Sequence, residues 1–281
     1  DRIFVMTRPN PGKDGELNLY YARPMAEEIL TSVPGVESFG STTFATEVDE
    51  SMFYLKEGDQ VRKFSAIEQR ATHSVLDVFN FEAESGTFDD MSRKGAVAVS
   101  SRFASSHDLK VGDYLSFNPA GEPFHCFVVA IWKDKYPKNS CPGSIDLIHS
   151  YGDQYIDSWN ESSFPYFVKL NSADGKEAFE QAANDMMRKW LKESYSDITH
   201  EEIEENMALL NVSLIPMEEL YYCEDISAKR PVCRSGNKTT DESLLVVAIL
   251  IILIALINFV NFFFALVPAR VKSVNTYKVF G

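Results

Sequence analysis

The residues of this sequence that could do chemistry are few and dispersed. The four cysteines, Cys126, Cys141, Cys223 and Cys233, show no C-x-x-C spacing, which argues against a zinc ribbon or a thioredoxin-type redox pair. Cys223 and Cys233 stand ten apart in a polar segment with Lys229, Arg230, Pro231 and Gly236, a composition that suits a bridged loop. Free thiols are the competing reading, and an exported location would permit the bridge. The histidines, at 73, 107, 125, 149 and 200, form no pair at metal-ligand spacing. Gly12-Lys13-Asp14 lacks the preceding glycine and the Ser/Thr of a phosphate-cradling loop, and no G-x-S-x-G nucleophile turn is present. Asp89-Asp90 and the run from Glu201 to Glu205 read as solvated faces rather than a cation site. Asn160, Asn211 and Asn237 lie in N-x-S/T sequons, which matter only in a eukaryotic secretory pathway. No catalytic, cofactor or metal constellation emerges, and the chain is read as a non-enzyme.

The next feature is physical rather than chemical. Leu244 to Val267 carries no charge, and its only polar residues are Asn258 and Asn261. At 1.5 Å per residue the stretch reaches about 36 Å, enough to cross a hydrocarbon core of roughly 30 Å. A buried core helix is seldom so long and apolar all round. Arg270, Lys272 and Lys278 follow the span with no acid, whereas all 41 acidic residues precede it. The excess of basic residues places 268–281 in the cytoplasm and 1–242 outside. An acidic exterior domain argues against nucleic acid as a partner. Asn258 and Asn261, three apart on one helix face, are expected to meet other helices, which implies further spans. An exported domain needs something upstream to carry it across, so a preceding transmembrane helix is expected.

The elements that position these residues follow from periodicity. Ile3 to Thr7 reads as a strand, and Ala22, Met25, Ala26, Ile29 and Leu30 recur at helical spacing until Pro34-Gly35. Phe39 to Val48, Met52 to Leu55 and Gln60 to Ile67 read as extended, giving a β-α-β-β order. Strands follow at Ala96 to Ser100, Tyr114 to Phe117 and Phe124 to Trp132, with a short helix over Ser101 to His107. Lys133 to Tyr155 is polar and holds Pro137, Pro142 and Gly143, which predicts a loop. Phe164 to Leu170 is a strand. Asp174 is placed to cap a helix whose stripe is Phe179, Ala182, Ala183, Met186 and Trp190. Asn211 to Ile215 is a strand, and Met217 to Thr240 reads as a polar connector. The fold class is α+β, with 78–163 inserted as a β-rich lobe.

Several stretches resemble FtsX/MacB-like permeases of ABC transporters, particularly the large Bacteroidetes-type members. Asp1-Arg2-Ile3-Phe4 is similar to the family's D-R-I-Y after the first transmembrane helix. Val33-Pro34-Gly35-Val36 is similar to its P-G-V, and Leu76 to Phe81 to its F-x-V-F-x-F. Ala96 to Arg102 is similar to I-V-I-S-E-S, and Leu109 to Asp113 stands at the D-P-I-G-K turn. Gly236-Asn237-Lys238-Thr239, Ile257-Asn258-Phe259-Val260-Asn261 and Tyr277-Lys278-Val279-Phe280-Gly281 are similar to G-N-K-T, I-N-F-x-N and R-K-V-L-G. Tyr277 stands where the family has Arg, and Ser273-Val274-Asn275 replaces an acidic-glycine step.

The resemblance implies a porter-like α/β lobe in two parts, 1–77 and 164–220, around the inserted lobe 78–163. A connector at 221–242, a transmembrane helix at 243–267 and the start of a cytoplasmic coupling segment at 268–281 follow. That segment would include Arg270, Lys272, Tyr277, Lys278 and Gly281. The family has four core transmembrane helices and works as a homodimer or with a paralogue in the bacterial inner membrane. ATP and magnesium bind a partner ATPase rather than this chain. Lipid surrounds the span, and a periplasmic protein is a further expected partner. The implied function is mechanotransmission: ATP hydrolysis inside moves the exterior domain for export, lipoprotein release or partner activation. The alternative is the extracytoplasmic sensor or receptor domain of a membrane signalling protein.

Overall fold

β1 (Ile3–Pro9) buries Phe4, Val5 and Met6 on both faces, as a strand in the middle of a covered sheet must. In this computed structural model, which describes residues 2–280 apart from 14, 43–49, 58–59, 118–123, 135–144, 151, 153–154, 161, 196 and 227–235, the chain forms two compact units. The first runs from Asp1 to Ser235 and the second from Gly236 to Gly281. After β1 come β2 (Leu17–Asn18), β3 (Tyr20–Ala22), α1 (Arg23–Ser32) and β4 (Val36–Ser41). The chain continues through β5 (Glu50–Glu57), β6 (Gln60–Ala71), α2 (Val75–Val78), β7 (Ala83–Gly86), β8 (Ala96–Ser100) and α3 (Ser101–His107). β9 (Tyr114–Phe117), β10 (Phe124–Trp132), β11 (Leu147–Ser150) and β12 (Ser162–Leu170) follow. α4 (Lys176–Ser194), α5 (His200–Leu210), β13 (Ser213–Pro216) and α6 (Met217–Leu220) complete the first unit. α7 (Lys238–Phe280) makes up the second.

Two sheets share the first unit. The first has six strands in the order β13-β1-β12-β3, with β13 at one edge, β2 paired to β1 and β4 paired to β12. Helices α1, α4 and α5 cover one face, where Ala26, Ile29, Phe179, Ala183, Met187, Ile203 and Met207 pack against Phe4, Met6, Tyr166 and Val168. The second sheet has seven strands. β9 pairs with both β5 and β10, so β10, β8, β11, β6, β5 and β9 close on themselves as a barrel, and β7 hangs on β10. Alternate residues of these strands, among them Phe53, Leu55, Phe64, Ala66, Val97, Val99, Leu115, Val128 and Leu147, fill the interior.

Several elements differ from the sequence reading. β5 and β6 pair with β9 and β11 of the barrel rather than extending the first sheet, so the strand pairing divides between β4 and β5. Nothing local to 50–71 distinguishes the two partners, because strand propensity does not specify which neighbouring strand is paired. The predicted loop over 133–155 contains β11, four wholly buried residues between β6 and β8. A strand that short has too few residues to show a period. The acidic run after Ile198 is α5, whose capping box joins the Thr199 side chain to Glu202 at both ends. Glu204 meets Arg188 of α4 at 3.1 Å. Asp174 does not cap α4: the Ser172 hydroxyl accepts from the Asp174 amide in a short 3₁₀ turn just before it.

The free edge of β13 is sealed by side chains of α4. Asn184 donates from Nδ2 to the Val212 carbonyl at 2.9 Å and accepts at Oδ1 from the Val212 amide at 2.7 Å. Glu180 Oε1 accepts from the Leu214 amide at 2.7 Å. Two helix residues four apart thus stand in for a neighbouring strand, which removes an edge open to pairing.

Candidate functional site at the seam of the two sheets

A third cluster of buried residues draws on both sheets. Val5 and Phe167 come from the face of the first sheet opposite its helices, and Leu19 from between β2 and β3. Ala71, Ala96, Ala98, Val129, Ala130, Trp132 and Ile148 come from the outer wall of the barrel, and Val75, Leu76 and Val78 of α2 lie with them. The covalent crossing is reinforced by backbone. Thr42 forms a β-bridge with Ala71, the Thr72 amide donates to the Ser41 carbonyl at 2.8 Å, and the Ser41 amide donates to Thr72 Oγ1 at 2.9 Å. Gly40 lets α2 lie directly on β4, since a Cβ there would sit 2.5 Å from the Val75 backbone.

The segment after β13 belongs to this seam. Met217 to Ile226 reads as a polar connector, yet Leu220 and Ile226 are buried in the shared cluster, with Met217 and Cys223 packed against it. Burying two such aliphatic side chains contributes about 1.5–3 kcal/mol each. The Leu17 amide donates to the Asp225 carbonyl at 2.6 Å, and Leu17 and Ile226 form an isolated parallel bridge, so the end of the segment is pinned to β2. These residues form a strap across the seam of the two sheets.

The seam also holds polar atoms without partners. Gln69 is 1 % exposed, and neither Oε1 nor Nε2 finds a hydrogen bond. It stands opposite Ile148 in the β6–β11 register, two residues from Ala71, and so shares their outward face. Thr42 Oγ1, on the strand bridged to Ala71, is likewise buried and unpaired. Each such group costs about 1–3 kcal/mol relative to its hydrated state.

Inside the barrel lies a second polar group. The buried His149 Nδ1 is 3.1 Å from the buried Glu68 Oε1, and Nε of Arg70, an exposed residue, is 3.4 Å from the same oxygen. Burial opposes ionisation of Glu68. Hydrogen bonds from His149 and Ser51, with the charges of His149 and Arg70, outweigh it and hold the carboxyl below its usual range. Burial, aided by the nearby Glu68 charge, pushes the Cys126 thiol up to about 12, so it is inert as a nucleophile at neutral pH. Among the described residues, no three His, Cys, Asp or Glu side chains converge as metal ligands.

Asn258 and Asn261 lie on the exposed surface of α7, a helix whose Lys238–Pro268 stretch is long and apolar enough to cross a membrane, with a mean hydropathy of 3.1 over an 18-residue window within it. Arg270, Lys272, Tyr277 and Lys278 continue the same helix past Pro268, and Gly281 falls outside the described residues. Cys223 sits in the strap. Cys233 lies outside the described residues, and with it the expected Cys223–Cys233 pairing. Sequence reasoning missed Leu17, Gln69, Leu220 and Ile226. The signal was slight: two aliphatic residues, Leu220 and Ile226, in an otherwise polar connector.

No protein-family model and no curated protein matches the sequence. Among solved structures, the chain is similar to a domain of a protein assigned as a permease in Porphyromonas gingivalis, at 18% identity and a TM-score of 0.59, covering 77% of this chain and 91% of that one. The extracellular domain of the noncanonic ABC-type transporter YknZ from Gram-positive bacteria aligns at 12% identity and a TM-score of 0.45, over 76% of this chain and 100% of that one. The periplasmic region of MacB from Actinobacillus actinomycetemcomitans aligns at 12% and 0.45, over 70% and 94%. The aligned part of the chain therefore shares the fold of the Porphyromonas gingivalis domain, the α+β architecture implied by the resemblance to FtsX/MacB-like permeases.

Proposed function

We propose that this chain is part of the permease subunit of an ABC transporter, with residues 1–242 outside the cytoplasm and α7 crossing the bacterial inner membrane. The observation that carries the reading is the pairing, in one chain, of a permease-like α+β fold with a following helix that holds an uncharged stretch from Leu244 to Val267. The motif order from Asp1 to Gly281 supports it. In this reading the chain works with a second permease copy or paralogue and with a partner ATPase that binds ATP and magnesium. It contributes motion rather than chemistry, and a periplasmic protein or an extracted lipoprotein receives that motion.

Two measurements test the proposal. A membrane-impermeant maleimide should label a cysteine placed at Lys13 from outside intact cells and one placed at Lys278 only after lysis. The tagged full-length protein should co-purify from membranes with a protein that hydrolyses ATP. Labelling of the Lys13 position from the cytoplasmic side, or purification without any ATPase, would remove the basis for the reading.

A further inference from the structure

We propose that residues 217–226 are a releasable clasp that, while docked, holds the barrel against the first sheet. Two independent observations carry this. The strap contributes Leu220 and Ile226 to the one buried cluster that both sheets build, so withdrawing it removes apolar contact from each side of the seam at once. The seam itself is under-satisfied: the Gln69 amide and the Thr42 hydroxyl are buried without partners, and opening the seam would return them to water. Loss of the clasp and gain of hydration act in the same direction. A seam so built is closed by apolar contact and opens when part of that contact is withdrawn.

The position of the strap supplies the lever. Ile226 lies twelve residues before Lys238, the first residue of α7, so displacement of the chain between them acts on the strap before any other described element of the first unit. Among the described residues, its last attachment is the Leu17–Ile226 bridge to β2, a strand of only two residues. The permease reading enters only as the source of the pull; the clasp itself concerns the first unit alone.

Hydrogen exchange on the full chain in lipid nanodiscs tests it. The double variant Leu220→Ser with Ile226→Ser should raise exchange in residues 36–42 and 69–78 by at least tenfold. Residues 53–55, 64–66 and 114–117 should stay within about twofold. An equal rise in every strand, or none, would overturn the proposal. A locked form carries the test if the double variant fails to fold. Bridge partners lie about 4.8 Å apart, within disulfide reach. Leu17→Cys with Ile226→Cys, in a background of Cys126→Ala, Cys141→Ser, Cys223→Ser and Cys233→Ser, should slow seam exchange at least threefold when oxidised and recover on reduction. Oxidised exchange equal to the reduced form would also overturn it. Neither measurement involves an ATPase, so failure here leaves the permease reading standing, and the absence of an ATPase partner leaves the clasp result intact.

Discussion

Two side chains show how much of this fold hangs on single residues. Asn184 lies on the apolar side of α4 and does the work of a strand, pairing both backbone groups of Val212. Asn184→Ala leaves a buried amide and a buried carbonyl unpaired, each worth about 1–3 kcal/mol. Urea unfolding should show a loss of about 2–4 kcal/mol, with part recovered in Asn184→Gln if the longer amide reaches; a loss under about 0.5 kcal/mol would mean water replaces the pairing. Glu68 makes a pH prediction. Its carboxyl is depressed in the folded state, so the stability it contributes is present above the ordinary carboxylate range and lost as pH falls through the folded value. The wild type should therefore lose stability on acidification more steeply than Glu68→Gln. Parallel pH profiles would show that the His149 and Ser51 hydrogen bonds do not depend on the charge. Neither role is visible in the sequence, where Asn184 is one polar residue in a helix and Glu68 one acid in a strand.

At the scale of elements, α7 and the strap carry the argument. α7 offers Asn258 and Asn261 three residues apart, within a stretch otherwise apolar. Replacing both with Leu should leave membrane insertion unchanged, since Leu is favourable in hydrocarbon. Interhelical hydrogen bonds of about 0.6–2 kcal/mol would be lost. The expected outcome is normal membrane yield with weakened association with the partner spans, read as a lower copurification ratio after detergent extraction. An unchanged ratio would mark these asparagines as incidental. The strap teaches the complementary lesson. Its composition is polar, yet two of its residues join a core, because a segment needs only a few apolar anchors once another surface is already shaped to receive them.

For the whole molecule, the shared cluster decides cooperativity. The first sheet with its helices and the barrel each possess a core, but they are not insulated, since the third cluster spans both. Residues 1–235 expressed alone should therefore unfold in a single transition, with far-ultraviolet circular dichroism and tryptophan fluorescence coinciding. Trp159 and Trp190, stacked at 6.0 Å, report on the first sheet's helical side, and Trp132 reports on the barrel wall. Two separated transitions would show that the seam does not couple the lobes at equilibrium.

Much of this was legible before any coordinates. Twenty-four residues without charge make a helix long and apolar enough to cross a membrane, and the periodic stripe Phe179, Ala182, Ala183, Met186 and Trp190 announces a one-sided helix over a sheet. Even the capping box at Thr199 and Glu202 is a local signal, although the acids around it disguise it as a solvated face. What only the tertiary structure decided was partnership: that β5 and β6 close a barrel, that β11 exists between β6 and β8, and that Leu220 and Ile226 dock at a seam. The reason is physical. Hydrophobic periodicity records that a face must be buried, and burial is non-directional, so it does not record against what.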